Sequence, residues 1–239
     1  MGIPASSFVT DRWWKRAAAL LLLYAAIAYV IMPVVWTRYE RRHPALEQTP
    51  TLTRTASGLP GDPLNVALVG SEEEVLRIMK AANWVLAAGL GLRADLSIAA
   101  DTALGRPDPD APVSNLYLFG RPEDLAFEQE VGDSPRSRHH VRFWKTDQSE
   151  RGRPLWIGAA VFDRRVGISR TTGQLTHIIA PAIDDERNFL FECLQKTGDL
   201  AATDVVEDYH DVRRGTNGDG IAWQTDGRLW VGVLEPFSH

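Results

Sequence analysis

The chain has 239 residues, with 26 Lys+Arg against 31 Asp+Glu, a net charge of −5 and 44% hydrophobic residues. This is globular composition, long enough for one sizeable core. With Cys193 as the one cysteine, no internal disulfide and no cysteine-based zinc cluster can form. Residues 1–61 hold 7 of the basic and 3 of the acidic residues, so residues 62–239 carry a net −9, which excludes the basic footprint of generic nucleic-acid binding.

Residues 1–16 read as a tail. From Ala17 to Trp36 the sequence has no charge over 20 residues. At about 1.5 Å per residue a helix there covers about 30 Å, the thickness of a bilayer's hydrocarbon. Trp13 and Trp14 precede the run, and Trp36 and Tyr39 follow it, which suits the two interfaces. We therefore expect a transmembrane helix over 17–36. Ala26-Ile27-Ala28 offers a cleavage pattern, but a cut there leaves an apolar new terminus, so an uncleaved anchor is expected. Arg12, Lys15 and Arg16 on one flank balance Arg38, Arg41 and Arg42 on the other. The positive-inside rule is then nearly a draw, and the short N-terminal tail favours an external soluble domain.

Residues 37–61 read as a linker, rich in Pro, Thr, Gly and Ser, leading to a soluble domain over 62–239. "LNVALVG" (64–70) reads as a strand, and Ser71 with Glu74 forms a capping box for a helix over 71–89. A second short helix is expected over 94–104. "SNLYLFG" (114–120) and "DLAFEQEV" (124–131) alternate and read as a hairpin turned at "GRPED". "RHHVRFWK" (138–145) and "PLWIGAAVFD" (154–163) form the next pair, with a tight turn at "DRR" (163–165) and a loop over 170–184. Phe189, Leu190, Cys193 and Leu194 share one face of a helix that Gly198 stops. Asp226-Gly227 reads as a hairpin turn in the last third. The sum is an α+β chain: one N-terminal transmembrane helix, then one domain with a largely antiparallel sheet and two or three helices.

The stretch "SRHHVRFWK" (137–145) concentrates cations beside bulky apolar residues. Strand alternation sends Val141 and Phe143 to a core with His139, and Arg138, His140, Arg142 and Trp144 to the other face. Successive members of that row sit roughly 7 Å apart, a spacing that could grip a phosphate or carboxylate. Arg121, in a turn, and Arg187 are further candidates for holding an anion. In "THIIAPAIDDER" (176–187), His177 with Asp184, Asp185 and Glu186 could do acid–base work, although Asp184 and Asp185 also suit a helix's first turn. The glycine-rich "GTNGDG" (215–220) lacks a P-loop lysine, and no G-x-S-x-G or H-E-x-x-H is present.

Six ordered strings, "GDPLNVALVGSEEEV", "APVSNLYLFGRPEDLAFEQ", "SPRSRHHVRFW", "PLWIGAAVFDRRVGIS", "THIIAPAIDDERNFL" and "TDGRLWVGVL", resemble the LssY C-terminal domain family of bacteria, from about Gly61 to Leu234. The resemblance implies a membrane anchor before the domain. In other members the domain is fused to a phosphatidic-acid-phosphatase-type or DedA-type membrane domain. By that association it implies lipid phosphates or undecaprenyl-like carriers of the cell envelope, and a hydrolase by association only. Members commonly read "THHI" where this chain has Thr176-His177-Ile178-Ile179, which weakens a two-histidine metal site there.

Three readings follow. In the first, a domain anchored in the bacterial cytoplasmic membrane binds a phosphorylated, possibly lipid-linked component in a basic cleft. Arg121, Arg138, His140, Arg142 and Arg187 hold the anion, His177 and His140 serve as acid or base, and no cofactor is needed. In the second, a metal-assisted hydrolase uses His140, His177, Asp163 and Asp184. In the third, the domain is a structural module for a membrane partner, marked by an exposed apolar patch.

Overall fold

In the computed structural model, which describes residues 8–32, 45–46, 49–87, 115–131, 134–168, 171 and 175–237, the apolar N-terminal run is helix α1 (Phe8–Ala26), continued by a π-helical turn over Ile27–Ile31. Trp13–Ile31 is apolar enough to cross a membrane, with mean hydropathy 1.5 and none of it buried. The helix thus starts earlier than the uncharged run, because Arg12, Lys15 and Arg16 are good helix formers, ranking just below alanine. Residues 33–36, the end of the expected span, lie outside the described residues, as does the helix expected over 94–104.

The chain divides into two compact units, Met1–Arg42 and His43–His239. In the second, strands β1 (Leu52–Arg54), β2 (Pro60–Pro63), β5 (Tyr117–Leu118) and β6 (Arg121–Pro122) form a small sheet in the order β2-β1-β5-β6. The larger sheet holds β3 (Val66–Val69), β4 (Val85–Leu86), β7 (Leu125–Val131), β8 (Ser134–Glu150), β9 (Arg153–Ile168), β10 (Leu175–Ile179), β11 (Leu200–Val206) and β14 (Leu229–Leu234). Its order is β11-β14-β3-β9-β8-β7-β4, with β10 on the far end of β9. The β14–β3 pairing is parallel and the others antiparallel, so the α+β class holds. β12 (Arg214–Thr216) and β13 (Ala222–Gln224) make a separate hairpin.

Two helices cover one face of the larger sheet, α2 (Glu72–Ala81) and α3 (Ile183–Thr197). Ser71 and Glu74 close the capping box of α2, and Gly198, at φ 78°, ends α3 in the left-handed conformation that glycine adopts without penalty. Val75, Ile78, Met79, Leu190, Phe191 and Leu194 pack on Val66, Leu68, Val141, Phe143 and Trp156. The opposite face is also buried: Ala67, Val69, Trp144, Ile157 and Ala159 pack against Leu46, Leu64, Leu116 and Leu118. A sheet covered on both sides reads as continuous apolar runs, as the fully buried "VALV" of β3 does. Gly158 belongs to this packing, since a Cβ there would come 2.6 Å from the Arg142 carbonyl oxygen and 2.7 Å from Phe143 Cδ1.

Several sequence expectations change. Part of the supposed linker is β structure, with Leu46 and Thr53 buried, because Pro- and Gly-rich segments can pair across the chain when no local pattern advertises it. "SNLYLFG" does not pair with "DLAFEQEV". β5 turns at Phe119-Gly120 onto β6 in the small sheet, while β7 pairs with β8 and β4. β9 runs straight through Asp163-Arg164-Arg165 without a turn, and "LTHII", expected as loop, is β10 paired to it. Asp226-Gly227 precedes β14, but β13 pairs with β12 and β14 with β3 and β11. Helix α2 ends at Ala81, short of residue 89.

Candidate functional site

The β8–β9 register places Arg138 opposite Asp163, His140 opposite Val161 and Arg142 opposite Ala159. On the other side, β7 sets Glu128 opposite His140 and Ala126 opposite Arg142. Alternation therefore does put Arg138, His140 and Arg142 on one face, but that face lies beneath other structure. His140 is 2% exposed and Arg142 3%. Alanine on both neighbours leaves the long Arg142 side chain room to reach the small sheet. There its Nη1 donates to Asp62 Oδ2 at 3.3 Å and its Nε to Glu123 Oε1 at 3.2 Å. Glu123 is fixed in turn by accepting from the Leu116 backbone N–H at 3.0 Å.

Arg138 sits nearer the surface. It donates to Glu128 Oε2 at 2.8 Å and to Asp163 Oδ2 at 3.4 Å, and its Nη2 lies 3.4 Å from His177 Nε2. A guanidinium has only donors, so this contact requires an unprotonated Nε2 on His177, with the ring proton on Nδ1. His140 Nδ1 lies 3.9 Å from Asp163 Oδ2, beyond hydrogen-bond reach, and has no hydrogen-bond partner among the described residues. Strands β8, β9 and β10 thus bring His140, Asp163 and His177 together, with Arg138 and Glu128 on the more exposed side and Arg142 and Asp62 more deeply buried.

Burial sets the proton affinities. It raises the Asp163 carboxyl above its ordinary range despite the opposing charges of Arg142 and Arg138. Asp62 is raised too, by burial first, against the pull of Arg142. His140 is pushed well below the usual imidazole value by burial, then by the charges of Arg142 and Arg138, and His177 is lowered by the same causes. The cluster therefore holds neutral imidazoles beside carboxyls that retain protons more readily than usual.

The remaining candidates lie elsewhere. Asp184 accepts from Arg187 and Thr225 and from the Asp226 backbone N–H, which removes it from the proposed metal set. Arg187, 2% exposed, is committed to Asp226 through both Nη atoms at 2.9 Å and lies over the Trp230 ring. Arg121 pairs with Asp124 and the Lys145 carbonyl. Among the described residues, no group of three or more His, Cys, Asp or Glu is spaced to hold a metal ion. His139 faces the helices, stacked on Phe189 at 3.9 Å and hydrogen-bonded to Glu186 at 2.8 Å, as a partnered core histidine should be. Two concavities, of about 260 Å³ beside Trp223 and about 310 Å³ beside Tyr117, include none of the cluster residues. The expected open basic cleft is thus replaced by a mixed-charge cluster in which each arginine has a carboxylate partner.

The described domain can be compared with known families. A protein-family model, LssY C-terminus, matches residues 46–229. The chain belongs to the LssY C-terminal domain family. No curated protein and no solved structure matches it. The family match begins at Leu46, which among the described residues is the first one buried in the core of this LssY C-terminal domain.

Sequence reasoning missed Asp62, Glu123 and Glu128. Glu128 was within reach, since pairing "DLAFEQEV" with the basic strand would have set it opposite His140. Asp62 and Glu123 sit in "GDP" and "RPED", where the sequence signals only turns.

Proposed function

We propose that this LssY C-terminal domain is a membrane-anchored acid–base site, in which His140, Asp163 and His177 move protons during hydrolysis of a membrane-associated ester. The observation that carries the reading is the buried His140 Nδ1, without a hydrogen-bond partner among the described residues and 3.9 Å from Asp163 Oδ2. A buried polar atom left unsatisfied is costly and calls for a functional reason. Neutral His140 is the base that takes a proton from water as the water attacks the ester centre. Asp163 is the acid that gives a proton to the leaving alkoxide, and the proton on His140 then returns to it. Arg138 and Arg142 supply fixed positive charge. His177, oriented by Arg138, is the second imidazole in reach. The N-terminal helix, apolar enough to cross a membrane, supports attachment to it.

Full-length protein purified in detergent should hydrolyse a generic ester, tested as p-nitrophenyl phosphate and p-nitrophenyl acetate. General acid–base catalysis contributes about 10²–10⁴-fold, so His140→Gln and Asp163→Asn should each lower kcat by about 100-fold or more while the circular dichroism spectrum is kept. Full activity in both variants, or no turnover of either ester by the wild type, removes this reading.

A further inference from the structure

Of the cations considered for anion binding, Arg138 alone combines a place in the acid–base cluster with a counter-ion at the surface. Arg142 is 3% exposed against Asp62 at 10% and Glu123 at 4%, and Arg187 is 2% exposed. Separating those pairs would strand charge in the interior. Arg138 is 20% exposed and Glu128 28%, so this half-buried pair costs less to separate than those, and Arg138 keeps its contact with buried Asp163 when Glu128 leaves. The Arg121–Asp124 pair is also open to solvent, at 38% and 33%, but its contacts are Asp124 and the Lys145 carbonyl, not the histidines.

We infer that the Glu128 carboxylate is an internal stand-in for the substrate's anionic group, and that a phosphate monoester displaces it to bind Arg138 on the more exposed side of the cluster. The inference rests on the acid–base reading of the same cluster and adds the substrate's chemical class. Glu128 lies opposite His140 in the register, so an oxyanion taking its place sits between Arg138 and the two histidines. A ligand carboxylate would gain nothing over Glu128, which is tethered to the same sheet and present at high effective concentration. A dianionic, tetrahedral phosphate carries more charge and a third oxygen, and so competes where a carboxylate cannot. The raised proton affinity of buried Asp163 reduces its repulsion of such a ligand.

The test measures binding rather than turnover, by calorimetry on the full-length protein in detergent with inorganic phosphate as probe. If the Arg138–Glu128 pair is closed about nine-tenths of the time, Glu128→Gln should bind phosphate about tenfold more tightly than wild type. The gain should vanish in the Glu128→Gln/Arg138→Gln double variant, and Asp124→Asn, which loosens Arg121 instead, should leave affinity unchanged. Competition by glycerol phosphate against vesicles of phosphatidylcholine with phosphatidate identifies the soluble or the lipid headgroup source. No gain in Glu128→Gln, or a gain that survives loss of Arg138, overturns the inference. Ester hydrolysis without Glu128-dependent phosphate binding would overturn it while leaving the acid–base reading standing. Phosphate binding of the expected pattern without turnover would do the reverse.

Discussion

His140 concentrates the tension of the site in one side chain. Strand alternation placed it beside Arg138 and Arg142, and that was legible in the sequence. Its burial was not, because the cover comes from elements distant in the chain. Burial and two arginines keep the folded imidazole neutral, whereas an unfolded chain takes up its proton near pH 6.5. A depressed folded pKa means that the stabilising contribution is fully present above about pH 6.5 and is lost as pH falls toward the folded value. The slope for one such group reaches about 1.4 kcal/mol per pH unit. His177 and His210 are lowered as well and act in the same direction. Asp62, Asp163 and Glu186 are raised, so their contribution is present at low pH and lost as pH rises. Comparison with a variant isolates the one group. In urea titrations between pH 7.5 and 5.5, wild type should lose more stability on acidification than His140→Gln does. Parallel pH slopes for the two proteins would mean that His140 is not held neutral in the fold.

At the scale of elements, local signals served well where pairing is local. The β8–β9 hairpin, β3, the capping box of α2 and the glycine stop of α3 could all be read from adjacent residues. Turn signals misled about which strands they join: β5 joins β1 across the chain, whereas β13 pairs back on β12 and β10 on β9, each a neighbouring pair other than the one expected. The small sheet was the costliest omission. Its Asp62 and Glu123 turn Arg142 from an expected surface cation into a tie between two sheets. An arginine on an exposed face could be removed harmlessly, but breaking a buried pair leaves uncompensated charge and costs about 3–5 kcal/mol. Arg142→Ala should therefore lower unfolding free energy by that amount in urea denaturation. Adding Asp62→Asn and Glu123→Gln should recover part of it, because the stranded carboxylates are then gone. A single variant within about 0.5 kcal/mol of wild type would return Arg142 to the surface role.

For the whole molecule, the question is what the N-terminal helix does. In the described residues of the first unit, large apolar side chains face outward all round, with Leu20, Leu21 and Leu22 each about two-thirds exposed or more. A helix apolar on every side is stable only where an apolar medium surrounds it. The length from Trp13 to Ile31, 19 residues, matches hydrocarbon thickness, and its backbone satisfies its own hydrogen bonds as a bilayer requires. A secretory signal has the same look, and the two differ in fate: an anchor stays on the mature chain, whereas a signal is removed. We expect the protein to remain with membranes through an alkaline carbonate wash and to leave them in detergent with its N-terminal helix still attached. Recovery of the intact chain in the soluble fraction would rule out the span. A soluble form beginning near Tyr29 would identify a cleaved signal instead, and the domain would then meet its substrate without a tether.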